Sequence, residues 1–503
     1  MSLFLPEKDR RVVPRWRDFR TTAQTGELER EQFGSPFVIE PGKYFEEKLI
    51  AWQQERSVET AAEVVTSALV LGRRTDAVEA ARFLAEPGNS PTSAVRAIAE
   101  QVLSPEDHLG HFAVADLKDI DLEADVLRLR IRSLRLQLRD TPRNALLWVD
   151  LARAYSMIGQ RDQSVHAMER ALRLVHNNRF VLRSAARLFV HIDEPDRAHE
   201  VLIHAERTRE DPWLLAAEIA VATVADRRAL FVKHGRRLLE HGDFPPLHTT
   251  ELASAIATLD MASGDVKGAR QLFTDSLIDP TDNSLAQAGW ASTKISGVEV
   301  AAELLNKPRS FEARAFREFR DAHWEPAIRH CASWLLDEPF SSRPAALGSY
   351  LAGVTEQDYR LSEEFARRGL RANPEDPLLR NNLVVALANQ GQVEEAVAEF
   401  NLITNPPEEL RTTLLATEGL LRFRRGDPTA GRQLYLDSIE RASRRRERYR
   451  AALAALHLAR EELLAGTATA DATLAEAAAA CEDIEQPDVK RFLQLIRALN
   501  SKR

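Results

Sequence analysis

The residues best suited to chemistry in this 503-residue chain are few, and most of them are arginines. Arg183 and Arg187 stand four apart, which puts two guanidiniums on one helix face. There they suit carboxylates, which arginine pairs bidentately. A second group lies near the N-terminus, where Arg10, Arg11, Arg15, Trp16 and Arg17 make a basic, aromatic-bearing arm. Such an arm suits an acidic protein partner, nucleic acid, or a groove on its own acidic chain. A third group, Arg444–Arg446 with Arg448, reads as a solvated helix face or as an anion-binding patch.

Groups that would point to catalysis do not assemble. His108 and His111 are spaced to share a metal on a helix, but Gly110 lies between them and no carboxylate or cysteine accompanies them at ligand spacing. They read as loop histidines. Cys331 and Cys481 are the only cysteines and make neither a disulfide framework nor a zinc pattern. No phosphate-cradling glycine loop, H-E-x2-H or G-x-S-x-G is present. The pairs His199/His204 and His323/His330 fall on helical surfaces with no nucleophile beside them. The chain reads as a non-enzyme with no catalytic residue, no metal and no cofactor.

The elements that must position the arginines are helical and repeated. From Ala145 the spacing is Trp148, Leu151, Ala152, Tyr155, Gly159, Met168 and Ala171. From Arg179 a second copy places Leu182, Ala185, Ala186, Phe189, Ala198, Leu202 and Ala205 at matching offsets, with Asp193 where the first has glycine. Apolar residues at i, i+3 and i+7 stripe one helix face, and small residues let two antiparallel helices approach. Glycine between the halves takes positive φ and ends the first helix. Each copy is a hairpin that needs neighbours for a core.

This pattern resembles the tetratricopeptide repeat, with its 34-residue period. The resemblance covers about 300 residues, with further units starting near Pro308, Arg343, Pro377 and Thr412. It implies an all-α fold, a right-handed α-solenoid of tetratricopeptide-like helical hairpins. It also implies a concave face lined by the first helix of each hairpin at its positions 2, 5, 9 and 12. Carried onto this chain, those positions give Arg153, Arg183 and Arg187 as a trio facing carboxylates. They also give Arg309, Phe316 and Phe319 further along, and Asn381, with Asn382 beside it, to hold a peptide backbone. The lysine and asparagine that clamp a carboxylate in chaperone-binding members are Val149 and Arg153 here, so a chaperone-tail receptor is not expected. Cys331 takes the place of a buried apolar residue and reads as core.

The organisation expected is an irregular arm at 1–42, a divergent helical region at 43–140, a repeat array of about nine hairpins at 141–443, and a helical cap at 444–503. The units near 213 and 284 are degenerate, and the short one at 284–306 is a candidate bend. A composition of 44% hydrophobic but only 7% aromatic residues suits helix packing. A net charge of −8 over this length is too mild for a protein built to coat nucleic acid. With no long apolar run and no leader pattern, the chain is expected to be soluble and cytoplasmic. Ten lysines among 68 basic residues suggest a GC-rich bacterial source. The function expected is a scaffold or adaptor in a bacterial multi-protein system, binding an extended or helical, acidic protein segment in the groove. The alternative is a nucleic-acid-associated regulator using the basic arm. No membrane partner is expected.

Overall fold

The repeats start where a side chain takes over the orphaned amides of a helix N-terminus. Asn144 Oδ1 accepts from the amides of Leu146 and Leu147 at 3.1 and 3.3 Å. Asn178 serves Val181, Asp211 serves Trp213, and Asp376 serves Leu378 and Leu379. Each such cap stabilises its helix by about 1 kcal/mol. Hairpins turn on a residue of positive φ: Gly159, Asp193, Asp226, Gly264, Ala322, Gln357, Gly391 and Gly426, with φ between 54° and 91°. Half of these are not glycine, yet most recur roughly every 34 residues. Backbone geometry therefore keeps the period where side-chain chemistry has drifted.

The computed structural model describes residues 13–18, 41–71, 74–91, 95–96, 99, 102–103 and 120–502, and among them there is no strand. Arg10, Arg11, His108 and His111 lie outside the described residues. Helices α1 (Pro41–Gln54), α2 (Val58–Leu71) and α3 (Val78–Ala85) share a core of their own around Phe45, Trp52, Val64 and Leu84. Helix α4 (Ile120–Asp140) lays Ile131, Leu134 and Leu138 against the first clear repeat.

Hairpins then follow in sequence: α5 (Ala145–Ser156) with α6 (Arg161–Leu174), α7 (Arg179–His191) with α8 (Pro195–His204), α9 (Pro212–Val224) with α10 (Val232–His241), and α11 (Pro246–Ser263) with α12 (Val266–Ser276). At 284–306, α13 (Asp282–Ala291) has only a short 3-10 turn, Ala302–Asn306, in place of an α-helical mate. The series resumes with α14 (Phe311–Arg320) and α15 (Trp324–Asp337), α16 (Ser342–Thr355) and α17 (Tyr359–Ala372), and α18 (Pro377–Asn389) and α19 (Val393–Asn401). It closes with α20 (Glu408–Arg424) and α21 (Pro428–Arg444), α22 (Arg448–Ala465) and α23 (Ala470–Ala480), and a single α24 (Pro487–Asn500).

The repeat residues pack as their spacing requires. Ala152, Met168, Ala171, Ala185, Phe189, Ala198 and Leu202 are all fully buried in one cluster. Burying a side chain the size of Met168 or Phe189 contributes about 1.5–3 kcal/mol, and the alanines bring the helices close enough to collect it. Cys331 lies in the next cluster with Phe365 and Leu351, and burial pushes its thiol pKa well above the ordinary value.

The array closes on itself. A Cβ placed at Gly159, in the α5–α6 turn, would lie 2.8 Å from the Arg371 carbonyl oxygen near the end of α17. Phe340, between α15 and α16, joins the core of the first repeats. Helix α24, expected to cover the last apolar face, packs Val489, Phe492 and Ile496 there. It also reaches inward, where Tyr350 of α16 donates to Asp488 at 2.6 Å and Arg491 donates to the Thr355 carbonyl at 3.0 Å.

Candidate binding groove

The first half of the groove is occupied by the chain itself. Residues 13–18 carry no helix, and the side chains of Arg15, Trp16 and Arg17 alternate between two walls. Arg15 donates from Nη1 to Glu338 at 2.7 Å and from Nη2 to Glu312 at 2.6 Å, with Nε 3.3 Å from Asp282. Arg17 holds Asp337 through Nε at 3.0 Å and Nη2 at 2.8 Å, and reaches Asp282 at 2.6 Å. Between them Trp16 turns the other way, is 0% exposed, and lies 5.1 Å from the Phe340 ring in a tilted pair. The arm's backbone is read at two carbonyls, by Arg153 Nε on Trp16 at 3.1 Å and by Asn283 Nδ2 on Val13 at 3.1 Å.

The carboxylates come from separate elements. Asp282 opens α13, Glu312 sits in the first turn of α14, and Asp337 and Glu338 end α15. Burial alone would raise the pKa of Glu338, but Arg15, Arg187 and the Trp334 hydrogen bond outweigh it and hold this carboxyl far below its usual range. Asp337 is lowered in the same way by Arg17 and Arg309 against burial. Burial would lower Arg15, yet Glu338, Glu312 and Asp282 raise it. Each side of the cluster thus keeps the other ionised. A buried network of this kind is favourable only while every charge is partnered.

The arginines expected to wait for a partner's carboxylates meet the chain's own groups. Arg183 donates to Glu251 at 3.0 Å and to the Trp213 carbonyl at 3.2 Å. Arg187 approaches Glu338 at 4.0 Å, with its guanidinium 5.3 Å from the centre of the Phe340 ring. Arg153 binds the Asp337 carbonyl at 3.0 Å as well as the arm, and burial lowers its pKa. Arg309 binds Asp337 at 2.7 Å. The physical reason is pairing: burial strands a guanidinium unless it finds an acceptor, and the superhelix brings acceptors from hairpins far along the chain. Phe316 and Phe319, expected on the groove face, are instead packed between helices against Trp334 and Trp324. Of the arm residues, Arg15, Trp16 and Arg17 converge here. Glu312 stands at a groove position in the sequence, whereas Asp282, Asp337 and Glu338 fall outside the positions that the repeat pattern marks.

The second half of the groove stays open. The inner helices α16, α18, α20 and α22 enclose a cavity of about 130 Å³ lined by Tyr350, Asn381, Asn382, Val385, Ala416 and His457, among others. Asn381 Oδ1 accepts from Thr417 at 2.7 Å, and Asn382 Nδ2 donates to the Ala346 carbonyl at 3.3 Å. Thr412 also lines the cavity, and its buried hydroxyl has no hydrogen-bond partner. His457 lies 4.6 Å from the Phe492 ring, and burial, then Arg460, pulls its pKa down to about 3. The cavity is therefore neutral, apart from Arg450 at its edge, which is paired with Glu447 at 2.9 Å.

The hairpins, their turns and their stacking define an α-solenoid of tetratricopeptide-like repeats. No protein-family model matches the chain, and no curated protein matches it. Among solved structures it is similar to yeast Tom70 at 13% identity, with 88% of this chain and 96% of that one covered and a TM-score of 0.32. It is also similar to the Cut9-Hcn1 hetero-tetramer of the APC/C, at 14% identity, 95% and 99% coverage and a TM-score of 0.32. A tetratricopeptide repeat protein from Parabacteroides merdae is similar at 15% identity, covering 63% of this chain and 97% of its own, with a TM-score of 0.29. Likenesses at this level say nothing of what this chain binds. Among the described residues no helix is long and apolar enough to cross a membrane.

Proposed function

We propose that the chain is a non-catalytic scaffold that holds a protein partner by a short uncharged segment in the second half of its groove. The observation that carries this is the neutral cavity between α16, α18, α20 and α22, with a stranded Thr412 hydroxyl in its wall. At about 130 Å³ it is close in size to a cavity that binds one benzene ring, the scale of one side chain rather than of a folded surface. One anchoring side chain fills it while Asn381 and Asn382 present amide groups to the backbone that follows. Leaving the Thr412 hydroxyl without a partner costs about 1–3 kcal/mol, so a ligand with a donor or acceptor there recovers that amount. The arginine and alanine excess supports a bacterial host, and we read the compartment as cytoplasmic.

The alternative, nucleic-acid contact through the basic arm, would have to do without Arg15, Trp16 and Arg17, which are buried against the chain's own groups. In the arginine run between α21 and α22, Arg444 pairs at the surface with Glu440, Arg445 with Glu447 and Arg448 with Asp483.

A peptide-display selection on the full chain tests the proposal, run on wild type beside Ala416→Trp, which fills the cavity. Uncharged sequences enriched by wild type should bind the variant at least about tenfold more weakly. Equal enrichment by both would move the binding site out of this cavity.

A further inference from the structure

We infer that the acidic pocket in the first half of the groove is a recognition site for Arg-aromatic-Arg segments, filled here by the chain's own arm and open to an equivalent segment of a protein partner. The inference stands apart from the cavity between α16 and α22. It rests on how the arm is read. Arg15 touches carboxylates from three successive elements, Arg17 from two, and both point to one wall. Trp16 points to the other wall, against Phe340. Charges at i and i+2 with an aromatic ring between them are the side-chain signature of an extended peptide in a groove, not of repeat packing. The backbone contacts from Arg153 and Asn283 fall on carbonyls, which every residue type offers.

The fit of the present occupant is incomplete. Trp16 Nε1 is buried with no acceptor, and Arg15 Nε completes no hydrogen bond. A segment with phenylalanine at the central position loses no hydrogen bond on entry, so the pocket specifies the two arginines and accepts any large ring. The arm belongs to the same chain as the pocket, so it competes at a higher local concentration than a free segment does. A partner segment replaces it when a second contact on the scaffold gives that segment the same advantage.

The experiment uses the full chain with a protease site inserted within residues 19–40, so that cutting removes the tether and leaves every described contact in place. The probes are a labelled peptide spanning residues 10–20, the same peptide with Phe for Trp16, and one with Ala for Arg15 and Arg17. Fluorescence anisotropy should show the first two binding the cut chain within about threefold of each other, and the third at least roughly 30-fold more weakly. The uncut chain should bind all three at least about 50-fold more weakly, because its pocket is occupied. If the cut chain keeps its own arm and takes up no peptide under a large excess, with helicity unchanged, the arm is a fixed part of the core and the inference fails. Equal binding by cut and uncut chains would place the peptide elsewhere, and indifference to the arginines would remove the specificity; either result overturns it. Should the insertion disturb folding, full chain carrying Arg15→Ala and Arg17→Ala replaces the cut protein, with the same expected contrasts.

Discussion

Glu338 carries no exposed surface, so its charge depends on Arg15, Arg187, the Trp334 indole and the nearby charge of Arg17. Truncating Arg15 to alanine leaves Glu338, Glu312 and Asp282 short of a donor. The expected cost is about 3 kcal/mol, the lower end for breaking a buried pair, because the arm can leave and admit water. Thermal unfolding should shift down, and trypsin should reach Arg17 in Arg15→Ala long before it does in wild type. The same cluster sets a pH dependence. Asp337 and Glu338 titrate below their ordinary values of 3.8 and 4.5, so their contribution is complete above those values and is lost as pH falls below them. His191, whose pKa burial and then Arg187 depress to about 3 from 6.5, acts with the same sign and starts earlier, because the unfolded chain binds its proton first. Urea midpoints should therefore decline from about pH 6.5 downward and steepen below about 4.5. A flat profile between pH 7 and 4 would contradict the burial of these groups.

At the scale of the hairpin, two turns share a backbone and differ in chemistry. Gly159 has φ 69° and Asp193 has φ 63°. Asp193 is exposed, so Asp193→Gly removes left-handed strain at no packing cost and should raise stability by about 0.5–1 kcal/mol. Gly159→Ala does the reverse and also drives a methyl toward the Arg371 carbonyl, for an expected loss of about 2 kcal/mol or more. Paired unfolding curves of the two variants read both signs. Ala171, fully buried between helices, should tolerate arginine least, with about 3 kcal/mol or more lost to overpacking and an unpartnered charge. Unchanged helicity and melting in Ala171→Arg would place the repeat register elsewhere.

Across the whole molecule the groove is divided by two segments that return to it. The arm bridges α5 to α13, α14 and the end of α15, and α24 crosses to α16 through the Tyr350, Tyr449 and Asp488 hydroxyl–carboxylate cluster. Deleting residues 1–18 should therefore let the first repeats move away from Phe340 and increase the radius of gyration in small-angle scattering. No increase would mean that the Gly159 and Phe340 contacts hold the closure unaided. The second half of the groove keeps its shape in either case, since its cavity is lined entirely by residues of α16, α17, α18, α20, α21 and α22.

What the sequence by itself determined is whatever repeats locally. The positions Leu151, Ala152, Met168 and Ala171 and their counterparts after Arg179 specify hairpins, because period and residue size decide which faces of adjacent helices meet. The turns at Ala322 and Gln357 were not legible from residue type, since neither is glycine, but the period around them implies their place. Asn381, at a position the repeat pattern marks, and Asn382 beside it line the cavity. The destination of Arg15, Trp16 and Arg17 was not legible, and neither were Asp282, Asp337 and Glu338 as their partners. Those contacts join residues about 300 positions apart, where no periodicity operates. They exist only because the accumulated turn of the solenoid carries the end of α15 back across α5 and α7. The tertiary structure alone decided which half of the groove is filled and which is open, because burying a charge selects the nearest opposite charge in space, wherever the chain supplies it.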